Sequence, residues 1–217
     1  DPIKDFAAVS LTCLVPQVLE VTPSLPVRSV KELIALAKAR PGQLTYGSGG
    51  TAGTGHFAGE SFSRQAGIKM LHVPYSSGGV AVPVTDLAND RIQLYLPSYT
   101  SLLPVVKSGN VKVLAIVDKK RLKVLPDVPH IFEAIPNYTL LLPFFGIFGP
   151  AGMPRALATR IQTELRAATQ NPEIFAKLEG LGSTPVANTP EEFAANLREQ
   201  VELVGRILKT AGIKLSD

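Results

Sequence analysis

From Tyr46 to His56 the chain reads Tyr-Gly-Ser-Gly-Gly-Thr-Ala-Gly-Thr-Gly-His, five glycines and three small hydroxyl residues in eleven positions. Glycine lets several backbone amides converge on one point, and hydroxyls add donors. A helix beginning near Thr54 would add first-turn N–H groups and the positive end of its dipole. That combination suits an anion such as a carboxylate, with Ser48, Gly49, Gly50, Thr51, Thr54 and His56 as candidate ligand-binding residues. Two more loops repeat the pattern after strand-like segments: Leu71 to Gly79, offering Tyr75, Ser76 and Ser77, and Leu96 to Ser101, offering Ser98. At each of the three the alternative is a turn with no ligand. Three such loops on one sheet edge would make a polar, uncharged rim.

Sharper chemistries fail on spacing. Gly47, Gly49 and Ala52 fit a loose dinucleotide pattern, but the strand after them, Met70 to Tyr75, ends without the acidic residue that would hold a ribose. A phosphate-binding loop needs Gly-Lys-Ser or Gly-Lys-Thr, which does not follow. Ser48 with His56, His72 or His130 as base would make a serine-dependent hydrolase, yet the nucleophile elbow requires glycine where Tyr46 stands. His56 and His72 are too far apart in sequence for a paired metal motif. No catalytic residue, metal ligand or cofactor is expected.

Composition narrows the class further. Apolar residues make up 45% of the 217 and charged residues 18%, the balance of a packed chain. Twenty-two basic against 18 acidic residues leave +4. The densest basic run, Lys119, Lys120, Arg121 and Lys123, has no interleaved aromatics, so nucleic-acid binding is not expected. Cys13 has no partner and sits in an apolar segment, which reads as a core position. The apolar stretch Thr139 to Gly149 is too short for a bilayer and contains Pro143. The chain opens on Asp-Pro without a basic-then-apolar leader, so a targeting peptide is expected to be absent or removed.

The elements that would position the loops alternate. Strands are expected at Phe6 to Val15 and Gln17 to Val21, then a helix opened by the capping box Ser29-Val30-Lys31-Glu32. Strand Gln43 to Gly47, helix Thr54 to Ala66, strand Met70 to Tyr75, helix Ala81 to Leu87 and strand Ile92 to Leu96 follow. A short helix near Leu102 to Lys107 and strand Val111 to Val117 complete the run. Alternation of this kind predicts an α/β fold with mainly parallel sheets flanked by helices. After strand Phe144 to Phe148 the chain is nearly all helix: one from Pro154, one after Pro172, and one capped by Thr189, Pro190 and Glu192 with Phe193, Leu197, Val201, Val204 and Leu208 on one face. So few strands remain to receive those helices that this part is expected to be incomplete.

The order of motifs resembles the substrate-binding receptors of tripartite tricarboxylate transporters, the Bug-type family, along essentially the whole chain. The resemblance is carried by Asp5-Phe6, Leu25-Pro26-Val27-Arg28-Ser29-Val30-Lys31-Glu32-Leu33, Tyr46-Gly47-Ser48-Gly49-Gly50 and His72-Val73-Pro74-Tyr75. It continues through Leu125-Pro126-Asp127-Val128-Pro129, Phe145-Gly146-Ile147-Phe148-Gly149-Pro150-Ala151-Gly152, Thr189-Pro190-Glu191-Glu192-Phe193 and Ala211-Gly212-Ile213-Lys214. The resemblance implies a periplasmic-binding-protein-like, Venus-flytrap fold of two lobes. Residues 22–143 would be a complete second lobe, and 1–21 with 144–217 the remainder of a first lobe whose opening strand-loop-helix region is missing.

It further implies a periplasmic solute-binding protein that captures a small organic acid or amino acid by its carboxylate and passes it to membrane transporter subunits without converting it. Closure would hinge near residues 21–24 and 143–146. The chain departs from the family pattern at Ser76 and Ser77, where a basic residue and glycine are common, at Gln93, where aspartate is usual, and at His130 in place of threonine. Gln93 joins the ligand-binding candidates on that correspondence. The alternative is a truncated member that no longer binds ligand and persists as a homo-oligomer through the incomplete lobe.

Overall fold

The structure is a computed structural model that describes residues 1–75, 79, 81–101 and 111–211. The chain divides into two compact units, Asp1–Val15 with Leu142–Arg206, and Pro16–Leu141 with the segment from Ile207 onward.

The first unit is built on a three-stranded antiparallel sheet in the order β7-β1-β8, where β1 is Phe6–Leu14, β7 Phe144–Pro150 and β8 Thr184–Pro185. Its helices are α4 (Arg155–Gln170), α5 (Pro172–Gly180) and the first turns of α6 (Pro190–Ala211). Local signals start them. Asn171 accepts from the amides of Glu173 and Ile174, with Pro172 in the first turn. Thr189 and Glu192 form a reciprocal capping box, at 3.2 and 2.9 Å. Phe193 is fully buried and packs against Phe144 and Phe148, while Asn188 closes the free side of β1 by accepting from Leu11 N at 2.8 Å. Cys13 is buried here, where desolvation raises its pKa.

The second unit has a five-stranded sheet in the order β4-β3-β5-β2-β6. The strands are β2 (Gln17–Val21), β3 (Thr45–Ser48), β4 (Leu71–Pro74), β5 (Leu94–Tyr95) and β6 (Lys112–Val117). One apolar layer gathers Leu19, Val21, Leu33, Tyr46, Phe62 and Leu94 with α1 (Val30–Ala39) and α2 (Thr54–Ala66). The other gathers Val18, Val84, Leu87, Ile92, Tyr95 and Ile116 with α3 (Ala81–Ala88). Ser29 caps α1 by accepting from Glu32 N, and the carboxylate of Glu32 accepts from Arg28 N at 2.7 Å. Gly67 ends α2 in the left-handed conformation.

Two expectations are corrected. The large sheet is mixed rather than mainly parallel: β3 runs parallel to β4 and β5, but β2 is antiparallel to both β5 and β6. The end of β2 and the start of β3 lie at one edge, since Thr22 N donates to Gln93 O and Thr45 N to the Gln93 side chain. The chain therefore leaves and re-enters the sheet on the same side, and α1 is not a parallel crossover. The same pairing places β2 with residues 16–141, so the unit boundary falls at Val15/Pro16 and not after residue 21. The helix expected near Leu102 to Lys107 lies outside the described residues. No helix among the described residues is long and apolar enough to cross a membrane.

Candidate functional site

Because β3 is parallel to its two neighbours, the three donor-rich loops leave the sheet at one edge. Ser48 is in register with Pro74 and Gly47 with Tyr95. Gly49 to Gly53, Tyr75 and Leu96 to Ser98 therefore begin side by side, and Tyr75 N donates to Ser48 O at 2.9 Å. The loop turns at Gly50, whose φ of 134° is open to glycine and strained for any side chain. Gly53 is the N-cap of α2 and provides no side-chain cap, and the first turn holds no acidic residue. The amides of Thr54, Gly55 and His56 have no acceptor in the turn before them among the described residues. Thr51 and Thr54 are exposed at this end.

Beneath the loop lies a polar cluster in which Ser48, His56 and Tyr46 are buried and His72 and Glu60 half-buried. The Ser48 hydroxyl, wholly inaccessible, donates to Gly50 O at 2.8 Å, accepts from Gly50 N at 3.3 Å, and meets His72 Nε2 at 2.6 Å. Ala52 N donates to His56 Nδ1 at 3.0 Å. The His56 and His72 rings stack with centroids 3.8 Å apart and planes 8° from parallel, and Tyr46 lies 5.0 Å beyond His72. The Tyr46 hydroxyl donates to Glu60 at 2.6 Å. Burial, and next the neighbouring His56, push His72 down to about 4. Burial also lowers His56, partly offset by Glu60. Burial and Glu60 together raise Tyr46. The histidine rings at the centre of the cluster are neutral, which leaves the backbone dipoles at the start of α2 as the positive feature of this end of the sheet.

Of the expected site residues, Ser48, Gly49, Gly50, Thr51, Thr54 and His56 come together as one structure, although Ser48 and His56 are buried supports whose polar atoms serve the loop itself. Tyr75 joins through its backbone. Its phenol turns to the opposite face, donating to Asp86 of α3 at 2.8 Å, because Gly47 leaves room for the ring. Ser98 follows β5 on the same edge, with its hydroxyl in contact with Ser101 at 2.8 Å. Ser76 and Ser77 lie outside the described residues. Gln93 is at the other end of the sheet: it accepts from Thr45 N and Thr45 Oγ1 at 3.0 and 2.9 Å and donates to Asp90 O. A residue just before β5 necessarily sits at the amino edge of the parallel strands, so Gln93 does not belong to the cluster.

Sequence reasoning passed over His72 and Tyr46 as site residues. His72 stands directly beside Tyr46 in the β3–β4 register, a pairing no local motif announces. The basic run is also resolved: Arg121 forms a fork with Glu133 at 2.9 to 3.2 Å, the geometry of a surface ion pair.

The family model described as "Tripartite tricarboxylate transporter family receptor" matches residues 1–213. A UPF0065 protein from the tcbD-tcbE intergenic region of Pseudomonas sp. strain P51 is 30% identical over 201 residues, 92% of this chain and 59% of that protein. This chain thus spans less than two thirds of that relative's length. Among solved structures, an R. palustris protein with adipate is 33% identical with a TM-score of 0.87, covering 98% of this chain and 71% of the other. A structure described as a periplasmic transporter is 32% identical with a TM-score of 0.86, covering 100% and 71%. The fold is the α/β, periplasmic-binding-protein-like fold of these proteins, and the chain belongs to the tripartite tricarboxylate transporter receptor family, a family of receptors and not of enzymes.

Proposed function

We propose that this chain is the carboxylate-binding portion of a periplasmic receptor that captures a small organic acid and presents it, unchanged, to a tripartite tricarboxylate-type membrane transporter. The observation that carries the reading is the loop Gly49 to Gly53 leading into the uncapped start of α2, where the amides of Thr54, Gly55 and His56 have no acceptor in the turn before them, Thr51 and Thr54 are exposed and the first turn holds no acid. Adipate in a relative of 33% identity supports a carboxylate as ligand. Ser76, Ser77 and Ser98 are proposed as further donors. Ser48 supports the loop from beneath. Chemical conversion has no support from this cluster: Ser48 is wholly buried, out of reach of a substrate, and its hydroxyl is taken up within the loop.

Isothermal titration with adipate, and with shorter dicarboxylates and acidic amino acids, tests the reading. Saturable binding that Gly50→Val weakens by more than tenfold, with the far-ultraviolet circular dichroism unchanged, supports it. Binding unaffected by Gly50→Val removes the loop from the site.

A second reading is favoured by apolar exposure on the first unit, where Phe6 is 53% and Phe145 61% exposed. On this reading the chain self-associates through that face instead of binding ligand. Native mass spectrometry separates the two: a bare oligomer that takes up no carboxylate favours self-association, and a monomer carrying a small acid excludes it.

A further inference from the structure

We propose that His56 and His72 are a paired positioning element for the ligand loop: stacked face to face, one from α2 holds the amide of Ala52 and the other from β4 holds Ser48, and together they fix the turn from Ser48 to Gly53. The inference rests on the carboxylate reading above and deepens it, since it concerns how the same loop is kept in a binding shape.

Hydrogen-bond accounting assigns the protons. We assign the single hydroxyl proton of Ser48 to the carbonyl of Gly50 at 2.8 Å, an acceptor shared with Gly53 N at 3.4 Å. The two acceptor positions of that oxygen are then filled by Gly50 N–H at 3.3 Å and by a proton on His72 Nε2 at 2.6 Å. His72 is thus a donor at Nε2, and Ser48 has no valence left. His56 is the opposite tautomer: Nδ1 accepts from Ala52 N, so that nitrogen carries no proton and the ring is neutral. Each histidine holds a different point of the loop, His72 at the Ser48 hydroxyl and His56 at the Ala52 amide, and the 3.8 Å stack makes the two supports interdependent.

The same geometry makes the loop sensitive to acid. Protonation of His56 at Nδ1 would expel the Ala52 amide, and a cation on either ring would face the other across the stack. The titratable and charged groups around the pair are Tyr46 from β3 and Glu60 from α2, and the carboxylate of Glu60 is engaged by the Tyr46 hydroxyl. Burial disfavours the charged form of both rings. As pH falls from about 6.5 toward about 4, the Ala52 support is lost with the acceptor at His56 Nδ1, while a charged His72 still donates from Nε2 to Ser48 and acts on the turn only by repelling His56 across the stack.

Backbone hydrogen exchange of the segment 48–53, each pH referenced to an unstructured peptide of the same sequence, tests this alongside adipate titration on the same samples. His56→Leu and His72→Leu are expected to speed exchange of that segment about tenfold, the loss of one such hydrogen bond, with the rest of the chain unchanged. His56→Asn puts a carbonyl acceptor near the Nδ1 position and His72→Gln an amide donor near the Nε2 position. The double variant His56→Asn/His72→Gln is expected to keep the protection and to lose the acid-induced rise that the unaltered chain shows between pH 6.5 and 4. Leucine variants that exchange like the unaltered chain overturn the proposal. So does an acid response that survives in the double variant, a readout available even where a leucine variant fails to fold. An unaltered chain that shows the exchange pattern but binds no carboxylate defeats the carboxylate reading while the positioning role stands.

Discussion

The ring of Tyr46 lies on the backbone of Gly59: a Cβ added at Gly59 would fall 2.1 Å from Tyr46 Cε2. That contact sets α2 against β3 and holds the tyrosine where it both stacks on His72 and reaches Glu60. Gly59→Ala should therefore destabilise the second unit by about 1–3 kcal/mol despite alanine's better helix propensity, because overpacking outweighs that gain. Urea denaturation followed by circular dichroism measures it, and a more stable variant would refute the contact.

Gln93 provides the control for the site. It satisfies Thr45 at the amino edge of the sheet, away from the loop. Gln93→Ala should leave adipate affinity within twofold while lowering stability by about 1–2 kcal/mol, since Thr45 N loses its acceptor in a half-buried place. A large loss of affinity in titration calorimetry at unchanged stability would return Gln93 to the site.

Glu20 is the fourth of the five residues of β2, fully buried, and neither carboxylate oxygen has a hydrogen-bond partner among the described residues. Burial pushes its pKa up from 4.5 to about 8. The folded chain then holds a proton that the unfolded chain releases, so this contribution to stability is full below about 4.5 and is lost as pH rises through about 8. Between pH 6 and 9 the cost should reach roughly 2–3 kcal/mol, and Glu20→Gln should abolish it. Denaturation midpoints of both chains at the two pH values decide the matter; parallel curves would show that Glu20 has found a partner.

In the first unit, a Cβ at Gly146 would fall 2.4 Å from Cζ of the buried Phe193 ring. Gly146→Ala should cost about 1–3 kcal/mol and Phe193→Ala about 3–5 kcal/mol, the first by clash and the second by cavity. Combining them should cost less than the sum, because removal of the ring relieves the clash. Additive effects in a double-mutant cycle would show that the two do not meet.

What the chain determined by itself is what neighbours in sequence can settle among themselves. The caps at Ser29 and Glu32, at Asn171, and at Thr189 and Glu192 are hydrogen bonds spanning four residues or fewer, and each formed where the residue types called for it. The loop from Ser48 to Gly53 was legible for the same reason, as glycines and hydroxyls between a strand and a helix. Only the tertiary structure decided that His72, 24 residues beyond Ser48, comes within 2.6 Å of it, that β2 runs against its neighbours, that the Tyr75 phenol faces α3, and that Gln93 lies at the far edge. Register, strand direction and the choice of face are fixed by burying two apolar layers at once, one on each side of the sheet. No segment read alone contains that sum: the glycines, hydroxyls and His56 of the loop are near neighbours in sequence, while His72 reaches them only through the register of β3 and β4.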